Sequence, residues 1–265
     1  MAEVNVAAEM CDERASCAVA AVDLDGRPQT LRAAESGGAC EEPKLGTPKF
    51  VAECRELDHR SFGYRFLKRL FDVVFSFVAL IVGLVPGLLF SVAIAVETRS
   101  FPIYSQVRIG KWGKPFRIYK FRTMVADSDN VEKYFTPEQL EVWKRERKVD
   151  DDPRITRLGR ILRATSFDET VQFINVLFGQ MTIVGPRAIT YEEVGEFGSD
   201  ATLLLSVPQG ITGAWQAGPR NEATFESGER QRIELEYARN ACLKEDIRIF
   251  LATFSAMLGK RKSGR

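Results

Sequence analysis

Between Phe71 and Val96 the sequence reads FDVVFSFVALIVGLVPGLLFSVAIAV, with Asp72 as its one charged residue. As a helix rising 1.5 Å per residue this stretch would be roughly 39 Å long, enough to cross a hydrocarbon core of about 30 Å. A core helix of a soluble protein is the competing reading of such a run. Arg60, Arg65, Lys68 and Arg69 precede it, and Arg99, Arg108, Lys111, Lys114, Arg117, Lys120 and Arg122 follow. Positive charge favours the cytoplasmic side of a membrane, and a single straight crossing cannot put both flanks there. Pro86, followed by Gly87, removes a helix hydrogen bond and kinks the axis. The expectation is therefore a re-entrant helix–break–helix hairpin that dips into one leaflet, with Lys68, Arg69 and Pro86 as its anchoring residues.

Upstream, Met1 to about Val51 is rich in Ala, Glu, Gly and Ser without a sustained apolar period, which reads as a disordered tail. It opens with Glu3 and carries no basic-then-apolar run, unlike a secretory signal. The 265 residues are 45% hydrophobic, and 37 basic residues nearly balance 36 acidic ones. A net charge of +1 argues against a dedicated nucleic-acid binder. The five cysteines, Cys11, Cys17, Cys40, Cys54 and Cys242, are odd in number and form no CxxC pair, so a disulfide framework or zinc site is not indicated. A single histidine, His59, leaves Ser-His-Asp and His-rich metal chemistry without support.

Downstream, Ile103 to Met124 alternates apolar and polar residues around Gly110 and Gly113, the pattern of a β-hairpin with Phe116, Ile118, Tyr119 and Phe121 on its buried side. Lys120 and Arg122 would project from its end. Val131 to Lys148 reads as a charged surface helix. Asp150, Asp151 and Asp152, which read as solvated N-terminal caps rather than as a metal site, then lead into DPRITRLGRILRATSFDETVQFINVLFGQMTIVGPR, from Asp152 to Arg187. Arg154, Arg157, Arg160 and Arg163 recur every third residue, which suits an amphipathic helix with guanidinium groups along one border. Such groups match phosphate oxygens. Asp168 and Glu169 follow closely, a candidate active centre for a phosphorylated substrate. Ser166 and Glu169 also have capping-box spacing, which starts a helix without any catalysis, and the two readings are compatible. The Gly-Pro turn before Arg187 would aim that side chain at an anion. From Glu222 to Leu258 the pattern is of two helices broken near Asn240 to Lys244, and the chain ends in the basic Lys260, Arg261, Lys262 and Arg265.

From about Tyr64 to Gly259 these residues resemble the bacterial sugar transferases that act as monotopic phosphoglycosyl transferases on polyprenol phosphate. The resemblance rests on the Lys68-Arg69 pair before the apolar run, YKFRTM at Tyr119 to Met124, DPRITRLGRILR, SFDE, INVLFGQM, TIVGPR, GITGAWQ and the RNE of Arg220 to Glu222. It implies transfer of a sugar 1-phosphate from a UDP-sugar to undecaprenyl phosphate with release of UMP and a requirement for Mg2+. It further implies Asp168 as the nucleophile, Glu169 as the second acid and magnesium ligand, and Lys120, Arg122, Arg163, Arg187 and Arg220 as contacts to substrate phosphates. Thr170-Val171, Gln180, Ala188, Val85 and Pro208-Gln209-Gly210 depart from the family pattern. They bear on the sugar preference and the helix break.

The expected architecture is α+β and mainly helical. Residues 1–58 would form the disordered tail, 59–99 the membrane-embedded re-entrant helix, 100–259 a cytoplasmic catalytic domain with a small β-hairpin and interfacial amphipathic helices, and 260–265 a basic tail. The partners expected are the donor, the lipid acceptor, the inner membrane and downstream glycosyltransferases, with no nucleic acid; a homodimer stays open. A catalytically silent anchor that binds lipid or protein through its cationic face is the rival reading. A soluble nucleotide-sugar glycosyltransferase is less well supported, for no GxGxxG follows a strand.

Overall fold

The computed structural model describes residues 21–22, 28–29, 45–146, 149, 151–218, 223, 225 and 227–258; of 21–22, 28–29, 145–146 and 256–258 it describes the backbone alone. The chain divides into two units, Met1–Cys40 and Glu41–Arg265. In the first, β1 (Ala21–Val22) pairs antiparallel with β2 (Pro28–Gln29). The rest of the expected tail up to residue 44, and the basic tail at 260–265, lie outside the described residues.

The second unit begins earlier than its sequence indicates. Helix α1 (Pro48–Glu56) is started by Thr47, whose hydroxyl accepts from the Phe50 amide, and by Pro48 in the first turn. Its Phe50 and Cys54 are buried in an apolar cluster with Ile109, Ile189, Leu204 and Leu235. The boundary expected at residue 58 is therefore corrected: a nine-residue helix with two buried side chains is too short and too polar to register as a period.

Helix α2 (Phe62–Thr98) is 37 residues long and runs through Pro86 without interruption. The break expected there is absent. A proline removes one amide donor, and the helix continues beyond it, with the Ser91 hydroxyl returning to the Gly87 carbonyl. The helix is long and apolar enough to cross a membrane, and 6% of its most apolar window is buried.

Both halves of α2 dock on the same globular body. In the first half, Tyr64 donates to Asp246 at 2.7 Å, and Lys68 reaches Asp246 at 2.6 Å and the Val184 carbonyl at 2.8 Å. Arg69 donates to the Val176 and Leu177 carbonyls, while Asp72 accepts from the Ile183 amide at 2.9 Å and from Thr182 at 2.7 Å. In the second half, Phe90 packs on Phe167 with ring centres 4.9 Å apart, and Ile94 is buried with Phe121 and Leu162. Lys68 and Arg69 are thus turned into the protein. Between the docked halves, Phe77, Ile81, Val82, Leu84 and Val85 are exposed.

The hairpin forms as expected, from β3 (Ile103–Ile109) and β4 (Pro115–Phe121). Its two faces are both covered, which corrects the single buried side: side chains alternate along a strand, so Ile118 and Phe121 point opposite ways, and each is buried in a different cluster. Beyond it the expected charged helix is shorter, α3 (Pro137–Glu146), preceded by a single turn at Val131–Lys133; Arg147 and Lys148 lie outside the described residues.

Helix α4 (Arg157–Ala164) is capped by Thr156, and a 3-10 segment, Phe167–Gln172, leads into α5 (Phe173–Leu177). Strand β5 (Thr182–Val184) precedes α6 (Tyr191–Gly195) and α7 (Ala201–Leu204), then pairs parallel with β6 (Gly210–Thr212). The two strand ends are almost in contact: a Cβ on Gly210 would stand 2.2 Å from the Gly185 nitrogen. Glycine at both sites permits this approach and fixes the Gly-Pro turn. Helices α8 (Ala214–Ala217), α9 (Glu229–Asn240) and α10 (Leu243–Leu258) complete the unit, and the last two confirm the pair read from the sequence.

Candidate active site

Asp168 and Glu169 sit on the 3-10 segment, with Asp168 buried. The capping box expected at this point does not form. Ser166 adopts a left-handed conformation with φ 54° and its side chain caps nothing, while the Thr190–Glu193 pair at α6 forms a complete box. A serine held in that region costs of order 1 kcal/mol and must be stabilised by its surroundings. Its effect is to turn the chain sharply out of α4, so that the acid pair faces back across the hairpin end.

A cleft of about 330 Å³ opens there, lined by Asp168, Glu169, Ser166, Lys120, Arg122, Arg163 and Arg187, with Tyr104, Gln106, Arg108, Ser128, Asp129 and Arg154 among its further walls. Three segments distant in sequence, the end of β4, the α4 and 3-10 pair, and the Gly-Pro turn, thus bring together Lys120, Arg122, Arg163, Arg187 and both acids. The fifth expected phosphate contact, Arg220, lies outside the described residues.

Each cation is held by a particular contact. Lys120 ends β4 and donates to Glu169 at 2.7 Å. Arg163, in the last turn of α4, donates through Nε to the Thr123 hydroxyl at 2.9 Å. That reach depends on Gly159, where a Cβ would stand 2.0 Å from the Thr123 carbonyl oxygen. Arg122 donates through Nε to the Phe101 carbonyl at 2.9 Å. Arg187 follows the Gly-Pro turn; its amide donates to buried Glu234 at 3.2 Å and its guanidinium lies 5.8 Å from the centre of the Trp215 ring.

Burial is the largest influence on Asp168 and, with the neighbouring Glu169 charge, pushes its pKa up to about 6, while Lys120 and Arg163 pull it back. Burial likewise lowers the pKa of Lys120, against the opposing attraction of Glu169. The site therefore holds a carboxylate that ionises near neutrality beside cations short of compensating charge. Such an arrangement favours a polyanionic ligand.

The arginine row divides into different uses. Arg154 precedes α4 and is locked by Asp152, by the Ser128 carbonyl and by the Phe135 ring 4.5 Å away. Asp152 is accordingly a buried ion-pair partner, which corrects the reading of the aspartates as solvated caps. Arg157 and Arg160 are exposed, and Arg163 alone of the helical three lines the cleft.

Sequence reasoning does not single out Arg108 as a site residue. It lines the cleft from β3, braced by Glu193 at 3.0 Å and Gln106 at 2.9 Å. The signal for it is the hairpin register, which places Tyr104 opposite Lys120, so that Gln106 and Arg108 share the Lys120 face.

With this geometry in hand, comparison with known proteins is specific. The model of the family described as bacterial sugar transferase matches residues 63–260, and the chain belongs to that family. It is 37% identical over 197 residues to an undecaprenyl-phosphate galactose phosphotransferase of Salmonella typhimurium, covering 73% of this chain and 41% of that one. A UDP-glucose:undecaprenyl-phosphate glucose-1-phosphate transferase of Klebsiella pneumoniae is 37% identical over 202 residues, covering 73% and 40%. The exopolysaccharide production protein ExoY of Rhizobium meliloti is 35% identical over 199 residues, covering 74% and 87%. The chain thus spans about two fifths of the Salmonella and Klebsiella proteins and most of ExoY.

Proposed function

We propose that the protein transfers a sugar 1-phosphate from a UDP-sugar to undecaprenyl phosphate, an early membrane step in the synthesis of a surface or secreted glycan. The observation that carries this reading is one buried carboxylate, Asp168, set among Lys120, Arg163 and Arg187 in a cleft whose walls rest on a long apolar helix. The names of its relatives support the same substrates.

In the first step a carboxylate oxygen of Asp168 attacks the phosphorus that bears the sugar. The P–O bond of the diphosphate breaks and UMP leaves with the bridging oxygen. In the second step an oxygen of the acceptor's phosphate attacks the same phosphorus and releases the carboxylate, forming the lipid diphosphate sugar. No proton needs to be gained or lost. Like-charged groups meet in both steps, so positioned cations supply most of the catalysis.

Glu169 fits a magnesium ion, which accepts one or two carboxylates and completes its shell with water and substrate phosphate oxygens. When bound there, the ion would neutralise phosphate charge, while Lys120 holds Glu169 in place.

The helix α2 would dip into one leaflet rather than cross. Its undocked stretch, residues 77–86, spans about 15 Å at 1.5 Å per residue, half of a hydrocarbon core. A silent anchor would leave the buried acid beside Lys120, Arg122, Arg163 and Arg187 without a purpose. The test is an assay of purified protein with magnesium, undecaprenyl phosphate and a panel of UDP-sugars: UMP should appear, and Asp168→Asn should abolish it. Release of UDP, or near-normal turnover by Asp168→Asn, would overturn the reading.

A further inference from the structure

Resting on that reaction, we propose that the second half of α2 carries a track for the acceptor's isoprenoid chain, which delivers its phosphate to Arg122 at one lip of the cleft. Leu89, Val92 and Val96 are 69%, 66% and 74% exposed. Their spacing of three and four places them on one face of the helix. The helix ends at Thr98, and three residues later Phe101 is 71% exposed.

Phe101 is tied to the site through its backbone. Its carbonyl accepts from Arg122 Nε at 2.9 Å, and among the described residues the two terminal guanidinium nitrogens make no hydrogen bond that would compete with an anion. The same guanidinium lies 5.8 Å from the centre of the Tyr104 ring, and both residues line the cleft that holds Asp168. Lys120, by contrast, is paired with Glu169, and Arg163 is held through Nε by Thr123 on the nucleophile's own side of the cleft. An apolar face that ends at a cleft-lining cation matches a ligand with a long apolar chain and one anionic head. A nucleotide sugar has no such chain and would gain nothing from the track.

The experiment uses the full-length protein in vesicles with a UDP-sugar that the wild type turns over. Phe101→Ser and Val96→Ser change exposed side chains and should raise the KM for undecaprenyl phosphate about tenfold, the scale of one lost apolar contact. Their single-turnover release of UMP without acceptor should keep the wild-type rate. With a short-chain alkyl phosphate as acceptor, which has no chain to lay along the helix, both should match the wild type. Arg122→Gln should weaken both acceptors, since it removes the partner of the head. Val107→Ser, an exposed position on the opposite face of β3, should change neither. An unchanged KM for undecaprenyl phosphate in the track variants, or an equal loss with the short-chain acceptor, overturns the track. A wild type that releases no UMP with any UDP-sugar overturns the reaction itself and the track with it.

Discussion

In the proposed reaction Asp168 must be ionised to attack phosphorus, yet burial and Glu169 hold its pKa at about 6 rather than 3.8. The first half-reaction should therefore slow about tenfold for each pH unit below 6 and level off above it, as single-turnover UMP release would record. The same shift has a stability consequence of opposite sense. The folded state binds this proton more tightly than the unfolded state, so its destabilising effect grows as pH rises from 3.8 through 6 and persists above. About two pKa units correspond to an upper limit of roughly 3 kcal/mol. Asp168→Asn should thus be inactive and at pH 7.5 more resistant to thermal unfolding than the wild type, with the difference vanishing near pH 4. A variant equally stable at both pH values would show that the carboxyl is not strained by its site. The acid pair was legible because two adjacent acids follow a run of arginines, whereas Arg108 was not, since one arginine in an alternating strand looks like any solvated position. Nor does the sequence distinguish Arg154 from Arg163: that depends on Asp152 and Phe135 folding back over the first and on Thr123 meeting the second.

At the scale of elements, contacts between segments far apart in sequence hold the cleft in shape. α4 lies so close to Thr123 that Gly159→Ala should displace it, and Arg163 with it. A displacement of about 1 Å at a positioning group can cost on the order of a hundredfold in rate. The expectation is such a loss in kcat with the protein still folded, while Gly195→Ala, where a Cβ meets nothing within 4 Å, leaves the rate unchanged; equal rates for both would remove Gly159 from the argument. Between α2 and the body, Lys68 and Asp246 form a buried pair that Tyr64 and Tyr237 complete. Removing one charge strands the other, so Lys68→Met should destabilise by about 3 to 5 kcal/mol, and adding Asp246→Leu should recover part of it. Thermal unfolding in detergent would read both. The hairpin and the last two helices were legible because each is long enough to show its period. Strands β5 and β6 were not, since three residues apiece carry no periodicity and their parallel pairing rests on the close passage of Gly185 and Gly210. Helix α1 shows its purpose only through Phe50 and Cys54 in the core.

For the whole molecule, the decisive relation is between the length of α2 and where it is fastened. A helix of 37 residues is about 56 Å long and could cross a bilayer with ease. Yet the sites at Lys68, Asp72 and Ser76, and again at Phe90 and Ile94, are occupied by contacts with one body or buried against it. The Phe121 ring stands 3.5 Å from where a Cβ on Gly87 would be, so docking resumes directly after Pro86. Crossing would have to be accomplished between Ser76 and Gly87, within about 16 Å of helix at 1.5 Å per residue, against a core of about 30 Å. Detaching either half would break the polar contacts of Lys68 and Asp72 or the aromatic contacts around Phe167. The charge distribution and the contacts that fasten both halves each favour the proposed dip over a crossing, although the helix does not break at Pro86. Cys242, exposed at the junction of α9 and α10, marks the side on which the body lies. In a variant without Cys11, Cys17 and Cys40, a membrane-impermeant thiol reagent should label Phe62→Cys and Phe101→Cys from the same side as Cys242, and from that side alone. Labelling of either introduced cysteine from the opposite side would mean that α2 leaves the body and spans.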